Sequence, residues 1–211
     1  MADRRGGPDE PARAGAAATP GAGGDQAPAA RQEAAPDGGW TVPAPVTGKV
    51  VPLDDVPDPV FAQRMVGDGA AILPAAGEVL APVAGTVTAL FPTGHAVGLR
   101  TDDGLELLIH VGIDSSHAEG AFTARVAVGD RVQAGQVLVV ADLERLALGA
   151  RSPVSPVLVT NLDQLGATVE VTGAGQVTAG RDPLFRVRPA AGTAPRPGGH
   201  GERERQREGQ G

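Results

Sequence analysis

Leu105-Glu106-Leu107-Leu108-Ile109-His110-Val111-Gly112-Ile113-Asp114 is a short run of Leu and Ile that ends in an imidazole. A run of this length and composition reads as a buried β-strand. Strands of this kind seldom end in histidine for packing reasons alone. Just upstream, Phe91-Pro92-Thr93-Gly94-His95-Ala96-Val97-Gly98-Leu99 is a turn feeding a second apolar strand. Asp102-Asp103-Gly104 between the two has the chemistry of a turn. If the strands pair as a hairpin, His95 and His110 meet at the end away from that turn. Asp114 then lies at the strand exit, and Thr93 can offer its hydroxyl to the His95 ring. An imidazole pair can hold a metal, hold a phosphoryl group or pass a proton. The plainer alternative is two hydrogen-bonded imidazoles at a strand edge.

The rest of the core suits an all-β fold. Ala44-Pro45-Val46-Thr47-Gly48-Lys49-Val50 recurs as Ala81-Pro82-Val83-Ala84-Gly85-Thr86-Val87, and Arg151-Ser152-Pro153-Val154-Ser155-Pro156-Val157 is similar in character. Pro is expected to begin each short strand, where its missing N–H costs least, with Gly permitting a bend or a close backbone approach. Further turns are expected at Gly67-Asp68-Gly69, Gly129-Asp130 and Ala134-Gly135. Short strands at this spacing indicate a sandwich or barrel built from a duplicated β-motif closing on itself. One or two short helices are expected. The better is Asp142-Leu143-Glu144-Arg145-Leu146-Ala147-Leu148, with Asp142 as N-cap and Gly149 as stop; the other lies within residues 57–65.

Composition sets the limits. The chain has 211 residues, with 31 Gly and 19 Pro. Residues 1–39 contain no Ile, Leu, Val, Phe or Trp, and residues 190–211 contain no apolar residue larger than Ala or Pro. Neither tail can bury enough apolar surface to offset the entropy of ordering, so both are expected to be disordered, leaving 40–189 as one domain. Cysteine is absent, which excludes a disulfide framework, thiolate catalysis and Cys-ligated metal, and suits a cytoplasmic protein. A net charge of −7 with a single lysine, Lys49, offers no basic stripe for nucleic acid. No apolar stretch approaches the length of a membrane span. Aromatics are scarce, at one Trp and four Phe, so the place of each matters.

The two histidine segments closely resemble the glucose-type enzyme IIA of the bacterial phosphotransferase system. The likeness continues through Asp55-Val56-Pro57-Asp58-Pro59-Val60-Phe61-Ala62, Met65-Val66-Gly67-Asp68-Gly69 and Ala81 to Val87. It resumes at Gly129-Asp130-Arg131-Val132-Gln133-Ala134-Gly135 and at Ser155-Pro156-Val157-Leu158-Val159-Thr160-Asn161, covering about residues 42–188. Several motifs agree in order, which makes the resemblance specific.

The resemblance implies the duplicated hybrid motif fold and a phosphocarrier. His110 would take a phosphoryl group from phosphohistidine on the carrier HPr and hand it to a cysteine on the IIB domain of a sugar permease. His95 would hold the phosphate oxygens and Thr93 would orient His95. Phe61 and Phe91 would form the apolar rim, with Asp58 and Asp114 beside it. No cofactor would be required, though Zn2+ could bind His95 and His110 at a partner interface. Some relatives also act on regulatory targets.

The chain departs from the family at Gly120-Ala121-Phe122, where the turn is about one residue shorter. It also departs at His117, expected to face solvent, and in residues 1–39, which lack the apolar face of a membrane-touching N-terminus. His200 falls in the C-terminal tail.

Three other classes compete. A zinc cell-wall peptidase needs a His-x-His pair, which is missing. A biotin or lipoyl carrier needs a lysine at a hairpin tip, whereas Lys49 is expected inside a strand. A regulatory IIA-like binding module without phosphotransfer would share every motif quoted above.

Overall fold

The computed structural model describes residues 39–190. The expectations for most of the two tails, including His200, lie outside these residues. In chain order the strands are β1 (Trp40–Pro43), β2 (Gly48–Val51), β3 (Asp68–Pro74), β4 (Glu78–Leu80), β5 (Gly85–Leu90), β6 (Ala96–Arg100) and β7 (Glu106–His110). They continue as β8 (Phe122–Ala124), β9 (Arg131–Val132), β10 (Val137–Ala141), β11 (Ser155–Val159), β12 (Ala167–Val171), β13 (Gln176–Val177) and β14 (Pro183–Pro189). The helices are short: α1 (Pro59–Ala62), α2 (Leu143–Gly149) and α3 (Leu162–Leu165).

An eight-stranded sheet, ordered β13-β2-β3-β11-β7-β6-β5-β9, packs with two three-stranded sheets, β1-β14-β12 and β4-β10-β8. Named strands pair antiparallel throughout. Of the two closures expected, the sandwich is the one formed: none of the three sheets closes on itself as a barrel.

The internal repeat is structural. Ala44 donates to the Asp182 carbonyl and accepts from Gly180, while Ala81 donates to the Gln136 carbonyl and accepts from Gly135. The role expected of proline is corrected. Pro45 and Pro82 lie in the bends ahead of β2 and β5, and the strands begin at Gly48 and Gly85. Glycine is required at both starts. A Cβ on Gly48 would lie 2.1 Å from the Leu73 carbonyl oxygen, and one on Gly85 would lie 2.4 Å from that of Arg100.

The main core includes Phe185, Ile72, Leu99, Leu105, Leu107, Ile109, Leu138 and Leu184. A smaller cluster of Leu53, Val56, Phe61, Ala71, Ile113 and Leu158 covers the other face of the central strands. Alternation along β11 shows this directly: Val157 and Val159 face the main core and Leu158 faces the smaller cluster. The central strands are therefore buried on both faces, which is why their sequences read as continuous apolar runs. A four-residue helix is not stable alone. Burying Phe61 contributes roughly 1.5–3 kcal/mol, which seats α1 against the sheet. Both expected helices form. Asp58 caps α1 by accepting from Val60 N–H at 2.7 Å. Asp142 caps α2, accepting from Glu144 and Arg145. Gly149, expected as the stop, is the last helical residue, and a Cβ there would lie 2.7 Å from Cα of Ala118.

Candidate functional site

The β6–β7 hairpin builds the site. Its register runs from Arg100↔Glu106 at the turn to Ala96↔His110 at the open end. Beyond the last rung, Val111 N–H donates to the His95 carbonyl at 2.7 Å, so the backbone of both histidines is tied together. Their rings lie 5.0 Å apart at an interplanar angle of 72°.

The turn end is clamped from two sides. The Trp40 indole N–H donates to Asp103 at 2.5 Å, and the Thr101 hydroxyl donates to the same carboxylate while accepting from Leu105 N–H. Asn161 accepts from Glu106 N–H at 3.0 Å and donates to the Gly104 carbonyl at 2.8 Å.

His110 is half-buried at the end of β7. Its Nδ1 lies 2.7 Å from the Gly112 carbonyl oxygen. A carbonyl only accepts, so Nδ1 carries the proton and Nε2 keeps its lone pair. His95 is buried, with Nδ1 2.5 Å from the Thr93 hydroxyl. Phe61 packs at 5.1 Å from the His110 ring centroid, and Phe91 at 5.3 Å from that of His95. Phe91 is largely exposed whereas Phe61 is buried, so they form the outer and inner parts of one apolar surround.

Burial pushes the pKa of both imidazoles below the ordinary histidine value. For His95 the neighbouring His110 adds to this. For His110 the Gly112 carbonyl and the charges of Asp58 and Asp114 pull upward, by less than burial pulls down. Both rings are thus neutral at neutral pH, as a nucleophile and its neutral neighbour need to be.

Around this hairpin end lie Thr93, His95, His110, Phe61 and Phe91, with Asp58 and Asp114 near enough to His110 for their charges to act on it. Asp58 does two things, capping α1 and placing negative charge near His110. Asp114 adopts a left-handed conformation at φ 52°, with Arg151 at 4.0 Å. His117 is exposed, as expected.

Three features were not read in advance. Phe122, just after the shortened turn, stands 6.3 Å from the His95 ring, and its Cβ would be 3.2 Å from a Cβ on Gly94. Gly112, at φ 76°, supplies the carbonyl that sets the His110 tautomer. Ser155 accepts from Gly112 N–H at 3.1 Å. The scarcity of aromatics was the one signal that pointed to Phe122. Among the described residues no group of three or more His, Cys, Asp and Glu is arranged to hold a metal, so the histidine pair offers two donors. No described helix is long and apolar enough to cross a membrane.

Comparison with known proteins agrees with this geometry. The family described as phosphoenolpyruvate-dependent sugar phosphotransferase system, EIIA 1 matches residues 40–165. The chain is 48% identical over 160 residues to the PTS system glucose-specific EIIA component of Halalkalibacterium halodurans, covering 75% of this chain and 92% of that protein. It is 44% identical over 145 residues to the protein of the same name from Staphylococcus aureus, covering 68% and 87%. A PTS system glucose-specific EIICBA component of Staphylococcus saprophyticus is 50% identical over 128 residues, 19% of its own length. Among solved structures, glucose permease IIA from Mycoplasma capricolum matches with a TM-score of 0.65 and 38% identity, over 70% of this chain and 95% of that one. With its paired histidines on one β-hairpin in an antiparallel sandwich, the chain belongs to the EIIA 1 family of the phosphoenolpyruvate-dependent sugar phosphotransferase system and is a phosphocarrier component of that system.

Proposed function

We propose that this chain accepts a phosphoryl group on Nε2 of His110 from phosphohistidine on HPr and donates it to the IIB domain of a glucose-type sugar permease. The observation that carries this reading is the bond from His110 Nδ1 to the Gly112 carbonyl, which leaves Nε2 as a free lone pair beside His95. In the first transfer an N–P bond on HPr breaks as the N–P bond to Nε2 forms. In the second, the N–P bond to His110 breaks as an S–P bond forms to the acceptor cysteine thiolate, whose proton has passed to solvent water, and His110 returns to the neutral Nδ1–H imidazole. Such transfers depend chiefly on alignment and charge stabilisation.

His95 serves the second need. The Thr93 hydroxyl holds its Nδ1; when that hydroxyl donates, His95 carries its proton on Nε2 and can donate it to the transferring oxygens. The apolar surround of Phe61 and Phe91 excludes water and seats the partners, while Asp58 and Asp114 offer negative charge to a basic partner surface. The relatives named as glucose-specific support a glucose-type permease as acceptor, and the EIICBA relative supports a IIB partner. A cytoplasmic location follows from partners of this kind. Zn2+ fits only in part: the two imidazoles would supply two of its four ligands and a partner carboxylate a third.

The test is a purified relay of phosphoenolpyruvate, enzyme I and HPr. His110 should carry acid-labile, base-stable label. Equal labelling of His110→Ala would refute the assignment. Absence of label in the parent chain would favour a regulatory binding module instead.

A further inference from the structure

Five polar side chains are buried among the described residues: His95, Thr101, Ser115, Ser155 and Asn161. All of them bond within the β6–β7 hairpin or the residues that enter and leave it. Thr101 and Asn161 hold the turn. Ser115 and Ser155, both fully buried, hold the opposite end, around Gly112. Burying a hydroxyl is costly unless it is hydrogen-bonded, and an Ala would fill either position without that demand. Their presence calls for a reason beyond packing.

The bonds supply one. The ladder between β7 and β11 ends at Ile109↔Val157. Past that rung the Ser155 side chain takes over, accepting from Gly112 N–H at 3.1 Å while donating to the Pro153 carbonyl at 2.9 Å. The carbonyl of the same peptide unit, that of Val111, accepts from the Ser115 hydroxyl at 2.6 Å. The next peptide is held as well: Ile113 N–H donates to the Ser152 carbonyl at 2.7 Å, and the Gly112 carbonyl receives His110 Nδ1–H. Both peptide planes flanking Gly112 are therefore fixed at N–H and C=O. Gly112, at φ 76°, has no Cβ to restrict its backbone, so these bonds set the direction of its carbonyl.

We propose that Ser155 and Ser115 are positioning residues for phosphoryl acceptance: they fix the Val111–Gly112 peptide, and Ser115 also reaches the Gly112 carbonyl at 3.4 Å, so that this carbonyl holds His110 as the Nδ1–H tautomer with Nε2 unprotonated. This rests on the reading of His110 as the acceptor. If the carbonyl swings away, His110 distributes between tautomers, and the Nε2–H form cannot attack phosphorus.

The experiment uses the full chain with 15N-labelled histidine, and reads the tautomer from two-bond 1H–15N correlations and the initial rate of labelling from phospho-HPr. The parent should show one His110 pattern, protonated at Nδ1. Ser155→Ala should add an Nε2–H population and slow labelling about tenfold, with the same label at completion. Ser115→Ala should act in the same direction and carries the test if Ser155→Ala does not fold. Val157→Ala, a buried truncation on the same strand that does not touch Gly112, should keep the parent tautomer and rate. Parent tautomer and rate in both serine variants would overturn the proposal, as would equal slowing in Val157→Ala. An unlabelled parent would overturn the acceptor reading, while the tautomer measurement still decides whether the serines orient His110.

Discussion

Replacing Asn161 by alanine tests whether the hairpin turn is held as the structure describes. Asn161 is 5% exposed, and its amide is bonded at both ends, to Glu106 N–H at 3.0 Å and the Gly104 carbonyl at 2.8 Å. Truncation leaves both backbone groups without a partner at the start of β7. A buried group left unpaired costs about 1–3 kcal/mol, so two of them set an upper range near 6 kcal/mol. Gly104 and Glu106 are only half-buried, so water recovers part of this, and the expected loss is about 2–4 kcal/mol.

With a urea slope of about 2 kcal/mol per molar, the midpoint should fall by roughly 1–2 M. The assay is urea unfolding followed by far-UV circular dichroism and by Trp40 fluorescence. The indole N–H is bonded to Asp103 in the same turn, so the fluorescence reports that turn directly. The histidines lie at the other end of a five-rung register, so labelling of the folded variant should change little. A loss below about 0.5 kcal/mol would mean that water satisfies both groups, and would refute the account of Asn161 as a buried clamp.

Three further outcomes are expected. Burial lowers the pKa of both histidines in the folded chain, so between that lowered value and the unfolded value near 6.5 the unfolded chain binds more protons. Their contribution to stability is therefore complete above about pH 6.5 and is lost as pH falls through the folded values, and labelling should decline over the same window. An NMR titration in which His110 protonates above 6.5 would contradict this. His95→Gln should still accept phosphate at His110 but pass it to IIB roughly 10²–10³-fold more slowly, read by quenched-flow transfer. Calorimetric titration with Zn2+ should show weak binding by the isolated protein, abolished when His110 is phosphorylated. Tight stoichiometric binding would mean that the chain completes the ligand set itself.

The hairpin that carries both histidines was legible because its signals are local. Two apolar runs flank Asp102-Asp103-Gly104, and a turn of that chemistry leaves antiparallel pairing as the short connection. The cap of α2 was legible for the same reason, since Asp142 bonds to amides only two or three residues away, whereas the capping of α1 by Asp58 was not read from the sequence. The resemblance drew Phe61, Phe91, Asp58 and Asp114 together; in the structure the two Phe rings lie against the histidines and the two carboxylates act on His110 by their charge. Proline was misplaced because the sequence marks a break without marking on which side the strand begins. That was decided by the approach of the Leu73 and Arg100 carbonyls to Gly48 and Gly85.

What the sequence by itself determined, then, is the all-β class, the turns at Gly129-Asp130 and Ala134-Gly135, and the hairpin that pairs His95 with His110. Gly67-Asp68-Gly69 reads as a turn, but Asp68 and Gly69 open β3, where a Cβ on Gly69 would lie 2.0 Å from the Val157 carbonyl oxygen. Only the tertiary structure decided that β11 lies between β3 and β7, putting Ser155 beside Gly112. It alone brought Phe122 across to His95 and Asn161 to the hairpin turn. The physical reason is that many Val- and Ala-rich strands of this chain are nearly interchangeable as local sequences. Their order is set by which arrangement buries both faces of the central strands while giving each buried polar group a partner.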